Sequence, residues 1–191
     1  FQTLSTQSRV TEQQLQLSSG KVSRDYAGLS TDSRRLLSME DSLQQIDGYL
    51  KNIDNVTQQL TKMESSVASA QTIASDLRTL LVNALNADTG NDLALPDQAQ
   101  AKLDQLAGLL NTQYDGRYLF GGARIDAPPV DFSGLDPADP TYDPANPTTA
   151  NAGYYQGDGS TLSVRIDKSI TLDYGIKADE PGFEKLARAL V

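Results

Sequence analysis

The feature that most constrains the fold is a run of apolar residues that recur alternately three and four positions apart from Leu36 to Ala84. This spacing places them on one stripe of a helix, as in a coiled-coil seam. The alternation has one defect between Leu50 and Val56, where a stammer would overwind a coiled coil locally. No proline interrupts the run, so we expect one helix over 33–85, about 80 Å long. The seam comprises Leu36, Met39, Leu43, Ile46, Leu50, Ile53, Val56, Leu60, Met63, Val67, Ala70, Ala74, Leu77, Leu81 and Ala84.

Two further segments are predicted to pack against this helix. Pro96 suits a first helical turn, and residues 96–111 then carry an apolar face of Ala99, Leu103, Leu106 and Leu110. The short turn over 86–92 favours an antiparallel arrangement of the two helices. Near the C-terminus, acidic residues precede Pro181, and Phe183, Leu186 and Leu190 recur at helical spacing. A seam of this kind usually forms a protein's own bundle core; lipid or a partner helix is the alternative occupant.

The N-terminal residues 1–17 indicate the end of another helix, which the segment LSSGK would stop. Gly20 is expected to take the left-handed position that commonly follows a helix. Ser30 or Thr31 is then the expected N-cap of the long helix, with Asp32 in its first turn. Within that helix, Gly48 is either a tolerated surface glycine or a site of close crossing by another helix.

The middle of the chain is β-like. The segment RYLFGGARID predicts a strand, with Tyr118 and Phe120 on one face and glycines at its ends. Residues 162–174 alternate apolar and polar around Asp167 and Lys168, which predicts a hairpin with one buried face. Residues 157–159 would turn the chain into it.

Between these strands, four prolines each follow Asp or Asn, which predicts an exposed loop over 131–152. Its carboxylates could be interpreted as a calcium site, but no known calcium-loop spacing is present. These carboxylates belong to Asp131, Asp136, Asp139 and Asp143.

The patterns together predict an α+β fold. It consists of a long antiparallel helical or coiled-coil rod built from both chain ends, with a smaller β-hairpin-rich excursion. We assign 1–113 and 179–191 to the rod, in which 1–20 is the end of a terminal helix. The outward β-rich part is 114–178 and contains the loop 131–152.

The composition excludes most catalytic chemistry. Cysteine, histidine and tryptophan are absent among the 191 residues, which removes thiol nucleophiles, Cys or His metal sites and Ser-His-Asp triads. The segment GRYLFGG has Gly122 and Ala123 where a phosphate-binding loop needs lysine and a hydroxyl residue. No pair of acidic residues stands out as a glycosidase site. We therefore expect no enzyme activity and no cofactor.

Charge and hydropathy argue against two classes of partner, nucleic acid and the membrane interior. The net charge of −9 argues against nucleic acid, and no apolar run is long enough to insert into a membrane. Residues 1–20 lack the basic start and apolar block of a signal peptide. Because the chain begins with Phe1, we expect a fragment or a processed product.

Three segments carry a resemblance to a known family. LSSGK followed by the long heptad helix resembles the N-terminal region of flagellins and their relatives. LNTQYDGRYLFGGARIDAPPV (110–130) is similar to the hook–filament junction proteins of that superfamily, and EPGFEKLARAL (180–190) to the start of their C-terminal helical segment. The connection VSRDYAGLS departs from the family in being short, with a single aspartate, Asp25, followed by Tyr26.

The resemblance implies a structural subunit that joins the flagellar hook to the flagellin filament by axial self-assembly. It implies an extracellular location, export without a cleaved signal peptide, and shortened inner-tube helices in this chain. The implied partners are copies of itself, flagellin, the other hook–filament junction protein and an export chaperone. The residues implied to orient the inner-tube helix against the rod are Leu17, Ser18, Ser19, Gly20 and Lys21.

Two alternatives stay open at this point. A flagellin filament subunit would share the rod. A secreted coiled-coil stalk or adhesin would instead present the β-rich tip, to which Tyr142, Tyr154 and Tyr155 would give an aromatic surface. We expect the chain alone to be monomeric in dilute solution, although the whole protein assembles.

Overall fold

The computed structural model describes residues 2–20, 33–86, 94–136 and 153–191. The fold is α+β, as predicted, and the chain divides into two compact units, Phe1–Tyr49 and Leu50–Val191. The helices are α1 (Gln2–Ser19), α2 (Ser33–Asn86), α3 (Leu95–Leu110) and α4 (Pro181–Leu190), with a short 3₁₀ turn at Phe132–Gly134. The strands are β1 (Gln113–Tyr114), β2 (Arg117–Tyr118), β3 (Leu162–Arg165) and β4 (Thr171–Tyr174). None of the described helices is long and apolar enough to cross a membrane.

The long helix α2 is continuous over 54 residues, which confirms the prediction from the heptad run. A Cβ atom added at Gly48 would meet nothing within 4 Å, so this chain favours the surface-glycine interpretation. The predicted cap at Ser30 or Thr31, and Asp32 with it, lie outside the described residues.

The buried stripe of α2 differs from the predicted seam. Leu60 is 39% exposed and Ala74 is exposed, whereas Ser66 and Ile73 are buried in their place. The predicted seam and the buried stripe share four positions spaced seven residues apart, from Val56 to Leu77. Between these shared positions, the seam and the buried stripe use different residues. A helix buries whichever flank of its apolar stripe its neighbours cover, and here they cover the flank of Ser66 and Ile73. The buried residues are Val56, Met63, Ser66, Ala70, Ile73 and Leu77.

Helix α3 runs antiparallel to α2, as predicted. Lys102 on α3 donates to Asp76 on α2 at 2.8 Å. Ser66, which comes earlier on α2, donates at 3.4 Å to Thr112, which comes after the end of α3. The later partner in one segment thus meets the earlier partner in the other. Helix α4 packs against α3 and closes the bundle with apolar residues that belong to the same core. This core includes Met63, Ala70, Ile73, Leu77, Leu103, Leu106, Leu110, Phe183, Ala187 and Leu190.

The prediction of a strand over RYLFGGARID is wrong beyond Tyr118, where β2 ends. Leu119 and Phe120 are consecutive, yet both are buried, with 3% and 0% exposure. Successive residues of a strand point to opposite faces; here the backbone bends at Leu119 and Phe120, and both side chains enter the core. The actual strands β1 and β2 form a tight hairpin at Asp115 and Gly116, whose φ angles are 51° and 73°. Two left-handed residues in sequence are the mark of a type I′ turn.

The second predicted hairpin is confirmed. Strands β3 and β4 pair antiparallel, with Leu162 opposite Tyr174 and Val164 opposite Leu172. The hairpin is attached to α2 at two places: Tyr174 donates to Gln59 at 3.0 Å, and Asn52 to the carbonyl of Arg165 at 3.1 Å. Its apolar face is only partly covered.

The prediction of one buried face therefore holds only in part, on both strands. Leu162 and Val164 on β3 are half-buried, whereas Leu172 on β4 is 47% exposed and Ile170 beside it 51% exposed. A two-stranded hairpin has few side chains to cover both of its strands. Tyr174 of β4 is half-buried where it bonds to Gln59 of α2, whereas Leu172 leaves an open flank on the same strand.

Candidate assembly site

The last glycine of GRYLFGG, Gly122, lies where two backbone segments pack closely. Gly122 has a φ of 69°, and a Cβ atom there would collide with the side chain of Asp158. The Asp158 Oδ1 atom accepts from the backbone N–H of Ala123 at 2.9 Å and of Ser160 at 3.0 Å. These hydrogen bonds hold the pKa of Asp158 below its usual value. Since a protein carboxylate already uses the N–H group of Ala123, this segment does not present it to a phosphate, in agreement with the sequence.

The aromatic residues of the same region hold the core together. Phe120, which is fully buried, meets Phe183 of α4 edge-on with ring centroids 6.2 Å apart. Its carbonyl accepts from the N–H of Ala178 at 2.9 Å. The Tyr154 hydroxyl in turn donates to the carbonyl of Ala178 at 3.0 Å. Burial, followed by the charge of Glu184, raises the pKa of Tyr154, so this hydroxyl acts as a neutral structural donor.

Four of the five residues predicted to orient the terminal helix, 17–20, lie at the end of α1 or directly after it. Gly20 has a φ of 66° and donates to the carbonyl of Gln16 at 2.9 Å, which confirms its left-handed conformation. A Cβ atom there would meet nothing within 4 Å, so glycine is favoured by the φ angle alone. Leu17 is 87% exposed, Ser18 donates to the carbonyl of Leu15, and Ser19 ends the helix. Lys21 lies outside the described residues. Their orienting role stays a prediction.

Among the described residues of the first unit, Phe1–Tyr49, most apolar side chains are exposed. On α1, Leu4 is 70% and Leu17 87% exposed. The part of α2 in this unit exposes Met39, Leu43 and Ile46 by 50%, 61% and 50%. An 18-residue helix such as α1 is only marginally stable in water without packing partners. These surfaces are therefore suited to contact with other helices.

The second unit, Leu50–Val191, carries an apolar groove along α2. It runs as two adjoining cavities of about 500 and 440 Å³ between α2 and the segment that leads from β4 into α4. Leu60, Val67 and Ile176 line it, and Glu64 and Glu180 give it an acidic border. Its lining is mainly apolar, which suits contact with apolar groups. Within the described parts of the chain, no cluster of acidic residues could hold a metal ion.

Comparison with known families identifies the family of this chain. The model of the bacterial flagellin N-terminal helical region matches residues 2–124. The chain belongs to the bacterial flagellin family. Family membership points to a structural protein rather than an enzyme. The match contains LSSGK, the long helix α2 and the GRYLFGG segment, which carried part of the resemblance in the sequence, whereas the third segment, 180–190, lies outside it.

A solved structure supports the fold of most of the chain. It is that of a protein provisionally described as flagellar hook-associated, from Vibrio parahaemolyticus, and it superposes with a TM-score of 0.59 at 21% identity. The likeness covers 83% of this chain and 63% of that protein. This chain thus matches less than two thirds of that protein's length. No curated protein matches the sequence.

Two features of the structure were missed from the sequence. The hairpin at Asp115 and Gly116 has the Asp-Gly pair that favours type I′ turns, and that signal was present in the sequence. The buried pair of Glu184 and Arg188 on α4 gave no comparable signal, because charged residues four apart usually form an exposed helix face.

Proposed function

We propose that this chain is part of a structural subunit of the bacterial flagellum, which joins the hook to the flagellin filament by axial self-assembly. The family match over residues 2–124 carries the proposal. The segment 110–130, with its similarity to hook–filament junction proteins, favours a junction subunit over a filament subunit. The hook-associated description of the similar Vibrio parahaemolyticus protein is consistent with the same choice.

The proposed mechanism is geometric and makes or breaks no covalent bond. Exposed apolar residues on α1 and on the first part of α2, such as Leu17 and Leu43, would be covered by helices of neighbouring subunits. Covering each such side chain contributes about 1.5–3 kcal/mol, so several of them together support a stable contact. The segment 17–21 would set the angle between the terminal helix and the rest of the subunit.

The partners and location follow from the same role. We expect neighbouring copies of the chain, flagellin, the other hook–filament junction protein and an export chaperone as partners. The subunit would act outside the cell, on the flagellum, after export without a cleaved signal peptide. We expect no nucleic acid partner, in keeping with the net charge of −9.

A deletion strain tests the proposal. Cells that lack the full-length protein should make hooks without filaments and release flagellin monomer into the medium, because flagellin loses its first template. Expression of the full-length gene from a plasmid should restore the filaments. Hooks that still bear complete filaments in the deletion strain would reject the junction role.

A flagellin filament subunit is the second candidate, since the family match alone fits it equally well. Its deletion would leave hooks and junctions intact with no flagellin subunit in the medium. The stalk or adhesin hypothesis loses part of its support, because Tyr154 is fully buried and Tyr155 half-buried instead of forming an exposed aromatic tip. Loss of surface attachment with normal filaments would revive it.

A further inference from the structure

Aspartate is followed by glycine at three places in the chain, which are Asp47 with Gly48, Asp115 with Gly116, and Asp158 with Gly159. This pair is chemically special, because the backbone nitrogen of the second residue can attack the side chain of the aspartate and close a cyclic imide. Glycine has no Cβ atom to hinder the approach, and its backbone has the freedom to make it. The fold treats the pairs differently, and the difference indicates which one reacts.

Two of the pairs are held away from this reaction by hydrogen bonds. Gly48 lies inside α2, where its N–H belongs to the helical ladder and its nitrogen cannot turn toward Asp47. Asp158 is half-buried, and its Oδ1 atom accepts from the N–H groups of Ala123 at 2.9 Å and Ser160 at 3.0 Å. A carboxylate fixed in this way must lose both bonds before its carbon can be attacked.

The remaining pair forms the turn between β1 and β2. Asp115 and Gly116 are both exposed, and a Cβ atom added at Gly116 would meet nothing within 4 Å. In the parts of the chain that the structure describes, no hydrogen bond or ion pair engages the Asp115 side chain. Its φ of 51° makes Asp115 the one described residue other than glycine with a positive φ. Strands of 2 residues on either side hold this turn, so it opens by small local fluctuations.

We propose that Asp115 is a site of spontaneous covalent modification, at which aspartate converts to isoaspartate through a succinimide formed with Gly116. The Gly116 nitrogen forms a bond to Cγ of the protonated Asp115 carboxyl; the nitrogen gives up its proton and the carboxyl its hydroxyl, which leave together as water. Water then adds to either ring carbonyl. Cleavage of the nitrogen–Cγ bond restores aspartate, whereas cleavage of the original peptide bond leaves the backbone running through Cβ and Cγ. The reaction needs no oxidant or further reactant, and the proposal does not depend on the flagellar function.

The modification would undo the hairpin in which it occurs. An isoaspartate lengthens the backbone of the turn, and the type of turn fixes the register of the strands beside it. Here that register pairs Tyr114 with Arg117. The Tyr114 hydroxyl also donates to Gln58 of α2. The reaction would therefore loosen the contact between the β1–β2 hairpin and the long helix.

Peptide mapping of the aged protein tests the proposal. The protein is kept at neutral pH below its melting temperature, digested, and analysed by electron-transfer fragmentation, which distinguishes isoaspartate from aspartate. Isoaspartate should accumulate at Asp115 at least about tenfold faster than at Asp47 or Asp158, because the other two sites must first open by local unfolding. Equal rates at the three positions, or a faster reaction at Asp47 or Asp158, would overturn the proposal.

The same incubation in urea separates the effect of the fold from that of the sequence. In the unfolded chain, all three positions should react at comparable rates, since each aspartate is followed by glycine. A preference for Asp115 that persists in urea would contradict selection by the fold. So would folded protein that shows no isoaspartate at Asp115 when the urea sample already contains it.

Two asparagine variants provide a matched pair with a faster readout. In Asp115→Asn and Asp158→Asn, the amide side chain would close the same ring with loss of ammonia, and the mass of each peptide reports the reaction. In the folded protein, the first variant should deamidate, whereas the second should keep its amide, because the amide oxygen still accepts from the N–H of Ala123. Equal deamidation of the two folded variants would refute the assignment of Asp115 as the reactive site.

Discussion

The two units of this protein use the same kind of helix in opposite ways. In Leu50–Val191, the apolar residues of α2 such as Ile73 and Leu77 are 2% and 5% exposed, because α3, α4 and the chain around Phe120 cover them. In Phe1–Tyr49, Leu43 on the same helix is 61% exposed, and Leu17 on α1 is 87% exposed. The periodic pattern runs through both parts of α2, and its one defect, between Leu50 and Val56, lies in the second part.

The difference teaches that heptad periodicity predicts a helix and its apolar stripe, but not what covers the stripe. One part of α2 is completed within this chain. The other part has an apolar stripe that, among the described residues, is left largely open. In a family of flagellar structural subunits, an open stripe of this kind is suited to contact with other subunits.

The largest expected effect is on the free energy of unfolding, when single leucines in the two parts of α2 are replaced. Leu77→Ala should lower the free energy of unfolding by about 2–5 kcal/mol, because it leaves a cavity in the core. The matched control Leu43→Ala should change it by less than about 0.5 kcal/mol, as exposed substitutions do. Leu60→Ala should fall between the two, since Leu60 is 39% exposed. Urea denaturation of the three variants measures this, and equal losses for Leu77 and Leu43 would contradict the division.

A pair of glycines gives the next effect. Gly122→Ala should cost about 1–3 kcal/mol, because the added Cβ combines a left-handed φ with a collision against Asp158. Gly20→Ala should cost less than Gly122→Ala, since it meets only the conformational strain, about 1–2 kcal/mol. Thermal melting compares the two. An equal loss of stability in the two variants would contradict the close packing of residues 121–123 against 157–160, because the added Cβ at Gly122 would then meet no resistance.

A bulkier substitution at Gly20 compares its effect on flagellar assembly with its effect on stability. Gly20→Val should disturb flagellar assembly more than it disturbs the stability of this chain, because a β-branched residue disfavours positive φ. Filament counts by electron microscopy, set beside melting temperatures, measure the two effects. Normal filaments with this substitution would remove residues 17–21 from the mechanism.

The smallest effect is a pH dependence at Asp158. The N–H groups of Ala123 and Ser160 lower its pKa in the folded state. Its contribution is therefore present above the unfolded value of about 3.9 and is lost as the pH falls through the lower folded pKa. Asp158→Asn should reduce the loss of stability over that acidic range, and Asp173→Asn on β4 is the matched control. Melting curves recorded from about pH 5 downward test it; identical pH profiles for Asp158→Asn and wild type would contradict the assignment.

Much of the helical architecture could be predicted from the sequence. The bounds of α2 followed from an apolar period without proline, and α4 from Pro181 after two acidic residues. The β3–β4 hairpin followed from strict alternation. These signals are local, since each depends on residues within one element.

The remainder depends on contacts between distant parts of the chain. Ser66 and Ile73 are buried because of the side from which neighbouring elements cover α2, which no period along one helix specifies. Leu119 and Phe120 leave the strand pattern because both enter the core formed by α2, α3 and α4. The contact of Arg188 with Asp136 joins positions 52 residues apart. Sequence patterns of one chain carry no signal for such pairs.

The central claim is that the open apolar stripe of the first unit is covered only when subunits assemble. The chain has no cysteine, so Leu43→Cys introduces a single thiol into it. Leu106→Cys, at a position with 0% exposure, is the control that should resist a maleimide reagent in both states. We predict rapid labelling of the Leu43 position in the isolated protein and at least about tenfold slower labelling in purified flagella, as expected for a site that becomes buried. Equal labelling rates at that position in the isolated and assembled states would contradict the account.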